Sequence, residues 1–175
     1  MSKGILKKSS RIGQSVVIFI CGAINAGKSS VGKILAERLK AAFIEGDHVR
    51  NFLHMLTVDE ARPAIVESIA AVVRTLVKRG FPVVVAYPLW NEDYEILRTK
   101  LADAEVPVHY FALNPDIETA LTNRGGREIG EWETQRIREL YEKGVNHPNF
   151  AVSIDNTNMT AVEAAEHIYS QLGLR

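Results

Sequence analysis

The sequence has a single cysteine, no excess of charge of either sign and no apolar run near the ~18 residues that cross a bilayer. Each absence excludes something. Cys21 alone forms no internal disulfide, which agrees with a reducing compartment and gives the cytoplasm as the expected location. With 21 basic against 21 acidic residues, the chain lacks the long-range field of a protein built to grip nucleic acid. No repeat of fixed period is present, so solenoids and collagen-like rods are excluded. A secretory h-region is also missing, because Ile5-Leu6 runs directly into Lys7-Lys8.

What is present is ordinary for a globular chain. Hydrophobic residues make up 46% and charged residues 24%, too apolar for intrinsic disorder. A chain of 175 residues fits one domain, which buries about 70% of its unfolded surface. No composition break divides residues 15–175, read here as that domain, preceded by a flexible basic arm over 1–14. The arm carries Lys3, Lys7, Lys8 and Arg11 and no acid, so the body that follows is net acidic. Such an arm is either a frayed, solvated terminus or a contact for RNA or another phosphate-rich surface.

Apolar and amphipathic segments alternate. Val16–Ile20 is a β-branched, wholly apolar run, as in a strand covered on both faces. Lys28–Lys40 follows with Val31, Ile34, Leu35 and Leu39 at helical spacing, and Ala41–Glu45 is a second strand. A short helical stretch is expected beyond Asp47. A longer helix around Ala61–Arg79 opens on Thr57-x-x-Glu60, the pattern of a capping box, and stops at Gly80. Pro82–Tyr87 is a third strand, followed by a helix near Asn91–Ala102 and a strand over Val106–Leu113. Asn114-Pro115 reads as cap and first residue of a further helix. A polar helix over Glu128–Lys143, a fifth strand at Phe150–Ile154 and a last helix capped by Thr160-x-x-Glu163 complete the chain. This alternation means right-handed crossovers and a parallel sheet between two helical layers.

Gly22-Ala23-Ile24-Asn25-Ala26-Gly27-Lys28-Ser29 matches G-x-x-x-x-G-K-[ST] between an apolar strand and an amphipathic helix, the context the motif requires. Its glycines let backbone N–H groups close around phosphate oxygens at a helix N-terminus. Lys28 then supplies a point charge, and the Ser29 hydroxyl a ligand for Mg²⁺. The expected fold is the three-layer α/β P-loop NTPase type, with five parallel strands and helices on both faces. Gly22 to Ser30 are expected to bind ATP. Cys21, just before the loop, reads as a small strand-end residue, since no partners for a catalytic thiol are visible.

Two P-loop classes are excluded by what is missing. A GTPase switch needs D-x-x-G and N-K-x-D, and neither occurs. A motor ATPase carries an acid at the end of a buried strand, whereas Val83–Tyr87 runs into Pro88-Leu89-Trp90. The segment Gly46-Asp47-His48-Val49-Arg50 puts a carboxylate and a guanidinium at the C-terminal edge of the sheet, where ligands of open α/β folds bind. There the chain resembles adenylylsulfate kinases, and more loosely shikimate, gluconate and chloramphenicol kinases, over about Val16 to Leu172. The resemblance implies Mg²⁺- and ATP-dependent transfer of the γ-phosphoryl group to a hydroxyl of a small molecule, an adenylylsulfate-like, sugar-acid or antibiotic-type acceptor. It places Asp47 on the acceptor hydroxyl or in the Mg²⁺ shell, beside Ser29, and Arg50 on the acceptor.

Around this pair several residues keep two readings. Asp47 also suits the N-cap of the next helix, Glu45 either joins Asp47 or is a strand-end acid, and His48 reads as a surface histidine. Arg62 either reaches the acceptor pocket or is a solvated helix-end arginine. In the same superfamily the stretch Thr122-Asn123-Arg124-Gly125-Gly126-Arg127 occupies the place of a mobile lid, which implies that Arg124 and Arg127 act on the transferring phosphoryl group. The loop Ile154–Thr160, with Asn156, takes the place that lies against adenine. The helix after the lid reads largely as a solvated face, and Trp132 and Tyr141 either pack inward, the default, or line the acceptor pocket.

The chain also departs from its relatives. No aromatic-Thr-Gly-Ile-Asp segment occurs between Arg127 and Asn149, Glu45-x-Asp47 replaces an Asp-x-Asp pair, and Tyr87-Pro88-Leu89-Trp90 replaces a glycine cluster. Trp90 is either core or a wall for a flat or partly apolar acceptor. Two other classes remain open: a nucleic-acid or nucleotide end kinase that uses the basic arm, and a non-catalytic ATP-binding regulator. No membrane contact is expected, and the sequence sets no oligomeric state.

Overall fold

The computed structural model describes residues 15–122 and 128–173. Five parallel strands form one sheet in the order β2-β3-β1-β4-β5. In chain order the elements are β1 (Val17–Cys21), α1 (Lys28–Leu39), β2 (Ala42–Glu45), α2 (Gly46–Arg50), a 3₁₀ turn (Asn51–Leu53), α3 (Val58–Lys78), β3 (Val83–Ala86), α4 (Asn91–Lys100), β4 (Val108–Leu113), α5 (Ile117–Ala120), α6 (Glu131–Glu142), β5 (Val152–Ile154) and α7 (Ala161–Gln171).

The period-2 alternation of β1 divides the core. Val17, Phe19 and Cys21 pack under α3 and α4, with Ile65, Ile69, Val73 and Leu97. Ile18 and Ile20 face the opposite layer, where Leu35 of α1 and Ile168 of α7 meet them. All five residues of β1 are buried, which accounts for the unbroken apolar run. A third, smaller cluster joins Ala23 of the phosphate loop to Leu140 and Val145 at the end of α6, with Trp90 against it. Helix α6 therefore sits over the C-terminal edge of the sheet, above the loop.

The capping boxes at Thr57–Glu60 and Thr160–Glu163 are both formed. The expected cap at Asn114-Pro115 is not. Asp116 caps α5, its Oδ1 accepting from Thr119 N–H at 2.6 Å, and the helix begins at Ile117. The Asn114 side chain is used elsewhere: its Oδ1 accepts from Asn146 Nδ2 at 2.7 Å, fastening the end of β4 to the chain after α6. Phe150 lies ahead of β5 rather than in it, and stacks on Tyr94 with ring centroids 4.6 Å apart. The basic arm, together with Arg124 and Arg127 of the expected lid, lies outside the described residues. Among the described residues no helix is long and apolar enough to cross a membrane.

Candidate active site

The strand order fixes where a ligand can lie. The chain leaves β1 for α1 at the centre of the sheet, with β3 and β2 on one side and β4 and β5 on the other. The loop after β1 thus lies at the switch point, open toward both sides. Gly22 has φ 126°, and a Cβ there would fall 2.4 Å from the Leu113 carbonyl oxygen, so only glycine lets the loop turn against β4. Gly27 has φ 95° and precedes α1, whose first turn carries no acidic side chain. The positive end of the α1 dipole is left available to an anion.

Side chains tie the loop down from three directions. Lys28 Nζ donates to the Ala23 carbonyl at 2.7 Å, which keeps the ammonium inside the ring of the loop. Asn25, itself left-handed at φ 62°, donates through Nδ2 to the carbonyls of Ala120 at 2.8 Å and Thr122 at 3.0 Å. Buried Asn156, from the loop after β5, donates to the Ala26 carbonyl at 3.0 Å. Its Oδ1 has no hydrogen-bond partner.

A cleft of about 670 Å³ opens over this loop. Ile24, Asn25, Gly27, Lys28, Ser29 and Ser30 line its floor. Ala23 and Ala26 are buried behind the floor, and Gly22 packs on β4, so these three hold the loop's shape rather than face the cleft. On the β5 side the wall carries Asn156 and Met159; on the β2–β3 side it carries Asp47, Arg50, Tyr87 and Trp90. Every described residue expected to act, Lys28, Ser29, Asp47, Arg50, Trp90 and Asn156, is thus gathered around one space.

The details refine their roles. Asp47 lies inside the first turn of α2 and is not its N-cap, which is Glu45. Gly46 is required beside it, because a Cβ there would meet the Tyr87 ring at 2.4 Å. Glu45 does not line the cleft; its carboxylate pairs with Lys33 at 3.7 Å and His48 at 3.9 Å. Arg50 lines the cleft with its guanidinium already engaged. It donates to the Leu53 carbonyl and, at 2.6 Å, to that of Leu56, and so folds the chain between α2 and α3.

The sequence left Arg62 between the acceptor pocket and a solvated helix end, and singled out neither Arg136 nor Asp93. Arg62, from the first turns of α3, and Arg136, from α6, both line the cleft. Their guanidinium carbons lie 4.6 Å and 5.9 Å from the centre of the Trp90 ring. Asp93, only 1% exposed, supports the group: its Oδ2 accepts from Trp90 N–H at 2.9 Å, and its Oδ1 lies 3.4 Å from Arg62 Nε. Burial raises the Asp93 pKa, against the lowering effects of the Trp90 N–H and of Arg62. Trp132 takes the second of its two readings: it does not pack inward but lies 66% exposed on the rim of the cleft. Tyr141 does pack inward, donating to the Pro115 carbonyl at 2.7 Å.

Fold and loop together define a P-loop α/β protein whose cleft extends from the loop to the β2–β3 side. The model of the AAA domain family matches residues 17–137, and the chain belongs to that family. No curated protein matches the sequence significantly. Among solved structures, the Mycobacterium tuberculosis APS kinase CysC, in complex with AMPPNP and APS, superposes with a TM-score of 0.65 at 19% identity, over 91% of this chain and 98% of that one. The Deinococcus radiodurans tunicamycin resistance protein gives 0.65 at 23% identity, over 93% and 98%. A gluconokinase from Sinorhizobium meliloti 1021 gives 0.61 at 23% identity, over 92% and 98%. The fold is that of the P-loop small-molecule kinases.

Proposed function

We propose that the protein transfers the γ-phosphoryl group of ATP to a hydroxyl of a small molecule. The observation that carries the reading is the convergence of Lys28 and Ser29 with Asp47 around one cleft, with the loop between them. The nucleotide phosphates lie in the loop over the α1 N-terminus. Lys28 faces their β- and γ-oxygens, and the base lies on the Asn156 side. The acceptor enters from the β2–β3 side. Its hydroxyl oxygen bonds to the γ-phosphorus as the bond to the β–γ bridging oxygen breaks, ADP departs, and the hydroxyl proton passes to the Asp47 carboxylate.

The donors also suit Mg²⁺. Among the described residues no three His, Cys, Asp or Glu side chains cluster as a protein-only cage. Magnesium is held instead by one or two protein oxygens together with phosphates and water. Ser29 and Asp47 would hold it, and the ion would supply neutralisation of developing negative charge. Asp47 then either takes the proton or organises the ion. Arg124 and Arg127 are proposed to add charge to the transferring group.

The test is acceptor-dependent ADP release across a panel of small hydroxyl compounds, with AMP-PNP affinity measured in parallel. Asp47→Asn is expected to keep AMP-PNP affinity within a few-fold and to lower transfer by roughly 10²-fold or more, the scale of losing a general base. Unchanged transfer removes Asp47 from the reaction. AMP-PNP binding with no ADP release from any acceptor points to the regulator.

A further inference from the structure

The side-chain amide of Asn156 works across the fold. Asn156 is only 3% exposed in the loop after β5, and its Nδ2 donates at 3.0 Å to the carbonyl of Ala26, 130 residues away in the chain. Its Oδ1 is buried without a hydrogen-bond partner, so the amide is engaged through its donor end alone. The loop that carries it is itself held. Thr157 Oγ1 accepts from Asp116 N–H at 2.9 Å and donates to Asp155 Oδ1 at 2.6 Å, and Asn114 N–H donates to the Ile154 carbonyl at 2.8 Å. These bonds fasten the loop to the chain that leaves β4, against which Gly22 turns.

The bond to Ala26 falls on a peptide that glycine leaves free to turn. Rotating the Ala26–Gly27 peptide changes ψ of Ala26 and φ of Gly27, and a glycine, here at φ 95°, accepts either sense of φ. A trans peptide is planar, with its C=O and N–H pointing opposite ways. Holding the Ala26 carbonyl toward Asn156 therefore holds the Gly27 N–H away from it. That N–H donates to no group among the described residues, and Gly27 lines the floor of the cleft at the head of α1. An unspent donor at that place suits an anion.

Resting on the kinase reading above, we propose that Asn156 is a positioning residue for the phosphates and not a reader of the base. Its amide holds the Ala26–Gly27 peptide in the orientation that aims the Gly27 N–H at a phosphate oxygen. The base lies along the same wall, but the Asn156 Oδ1 is enclosed by protein and takes no part in recognising it.

The probe is inorganic tripolyphosphate with Mg²⁺, which carries the phosphates without a base. In the ¹⁵N-labelled native protein the Gly27 amide proton is expected to move downfield when it is added, as an N–H does on donating to an anion. Asn156→Leu, close in volume but with no donor, is expected to lose that movement while the amides of Lys28 and Ser29 keep theirs. Titration calorimetry should show tripolyphosphate and AMP-PNP weakened by one common factor, about 10-fold, the scale of one charge-assisted hydrogen bond. The preference for AMP-PNP over GMP-PNP is expected to stay at its native value. Asn156→Ala carries the same expectations if Asn156→Leu does not fold, and the native spectrum tests the Gly27 contact with no variant at all.

A Gly27 amide that does not respond in the native protein overturns the inference. So does a variant that loses AMP-PNP affinity and keeps that for tripolyphosphate, the mark of a base reader. Loss of the response at every loop amide together, the mark of general loosening, overturns it as well. Its failure is separable from that of the kinase reading. Tripolyphosphate that binds native protein and variant alike, with acceptor-dependent ADP release intact, refutes the role of Asn156 and keeps the activity. The expected pattern at Gly27 with no ADP release from any acceptor keeps that role and refutes transfer, and native protein that binds neither tripolyphosphate nor AMP-PNP overturns both.

Discussion

Cys21 closes β1 one residue before the phosphate loop, with its thiol donating to the Phe111 carbonyl at 3.4 Å. Burial pushes its pKa up to about 12, only partly offset by the nearby Lys28 charge. The thiol therefore stays protonated and is no nucleophile. In the native protein it should react with iodoacetamide at pH 8 at least ~10²-fold more slowly than in the unfolded chain, as expected for so small a thiolate fraction. Because the folded value is raised, the contribution to stability is complete below the ordinary thiol pKa of 9.0 and declines as pH rises from there toward about 12. Denaturant midpoints should fall over that range, and less steeply in Cys21→Ala. Equal reactivity of folded and unfolded protein would contradict the buried thiol.

The contrast with Arg136 shows what single residues reveal. The phosphate loop was legible because every fixed position has a local reason: a turn, a charge, a hydroxyl. Asp47 and Arg50 were legible through their place after β2. Arg136 sits among Glu131, Glu133, Glu139 and Glu142, a composition that describes a solvated face. Only the packing of Leu140 onto Ala23 turns that helix toward the cleft and brings Arg136 to Trp90. Asp93 was hidden for a similar reason, since an acid in a first helical turn is ordinary until its burial is seen.

At the scale of elements, strands and long helices followed from period and caps, while short connections did not. The Thr57 and Thr160 boxes formed because cap and partner lie three residues apart and need no tertiary help. Asn114 lost the cap of α5 to Asp116 because Asn146 holds its side chain from 32 residues away. The same dependence on distant contacts makes the turn after β1 sensitive. In Gly22→Ala the new Cβ meets the Leu113 carbonyl at 2.4 Å in a left-handed backbone. We expect a loss of roughly 1–3 kcal/mol from backbone strain alone, together with weakened AMP-PNP binding. Denaturant unfolding checks the first and titration the second; a variant with native stability would contradict the close approach of loop and β4.

At the scale of the molecule, the zero net charge divides unevenly. The sheet brings cationic side chains from α1, α2, α3 and α6 to one cleft, so a chain with no net field still presents a positive site. In the proposed reaction the β5 side takes the base and the β2–β3 side the acceptor. A crystal structure with Mg²⁺ and AMP-PNP tests this most directly. The account predicts the triphosphate wrapped by residues 22–29 over the α1 N-terminus, the base beside Asn156 and the γ-phosphate directed at Asp47. A base in the Arg62–Trp90 space, or a triphosphate away from Lys28, would contradict it.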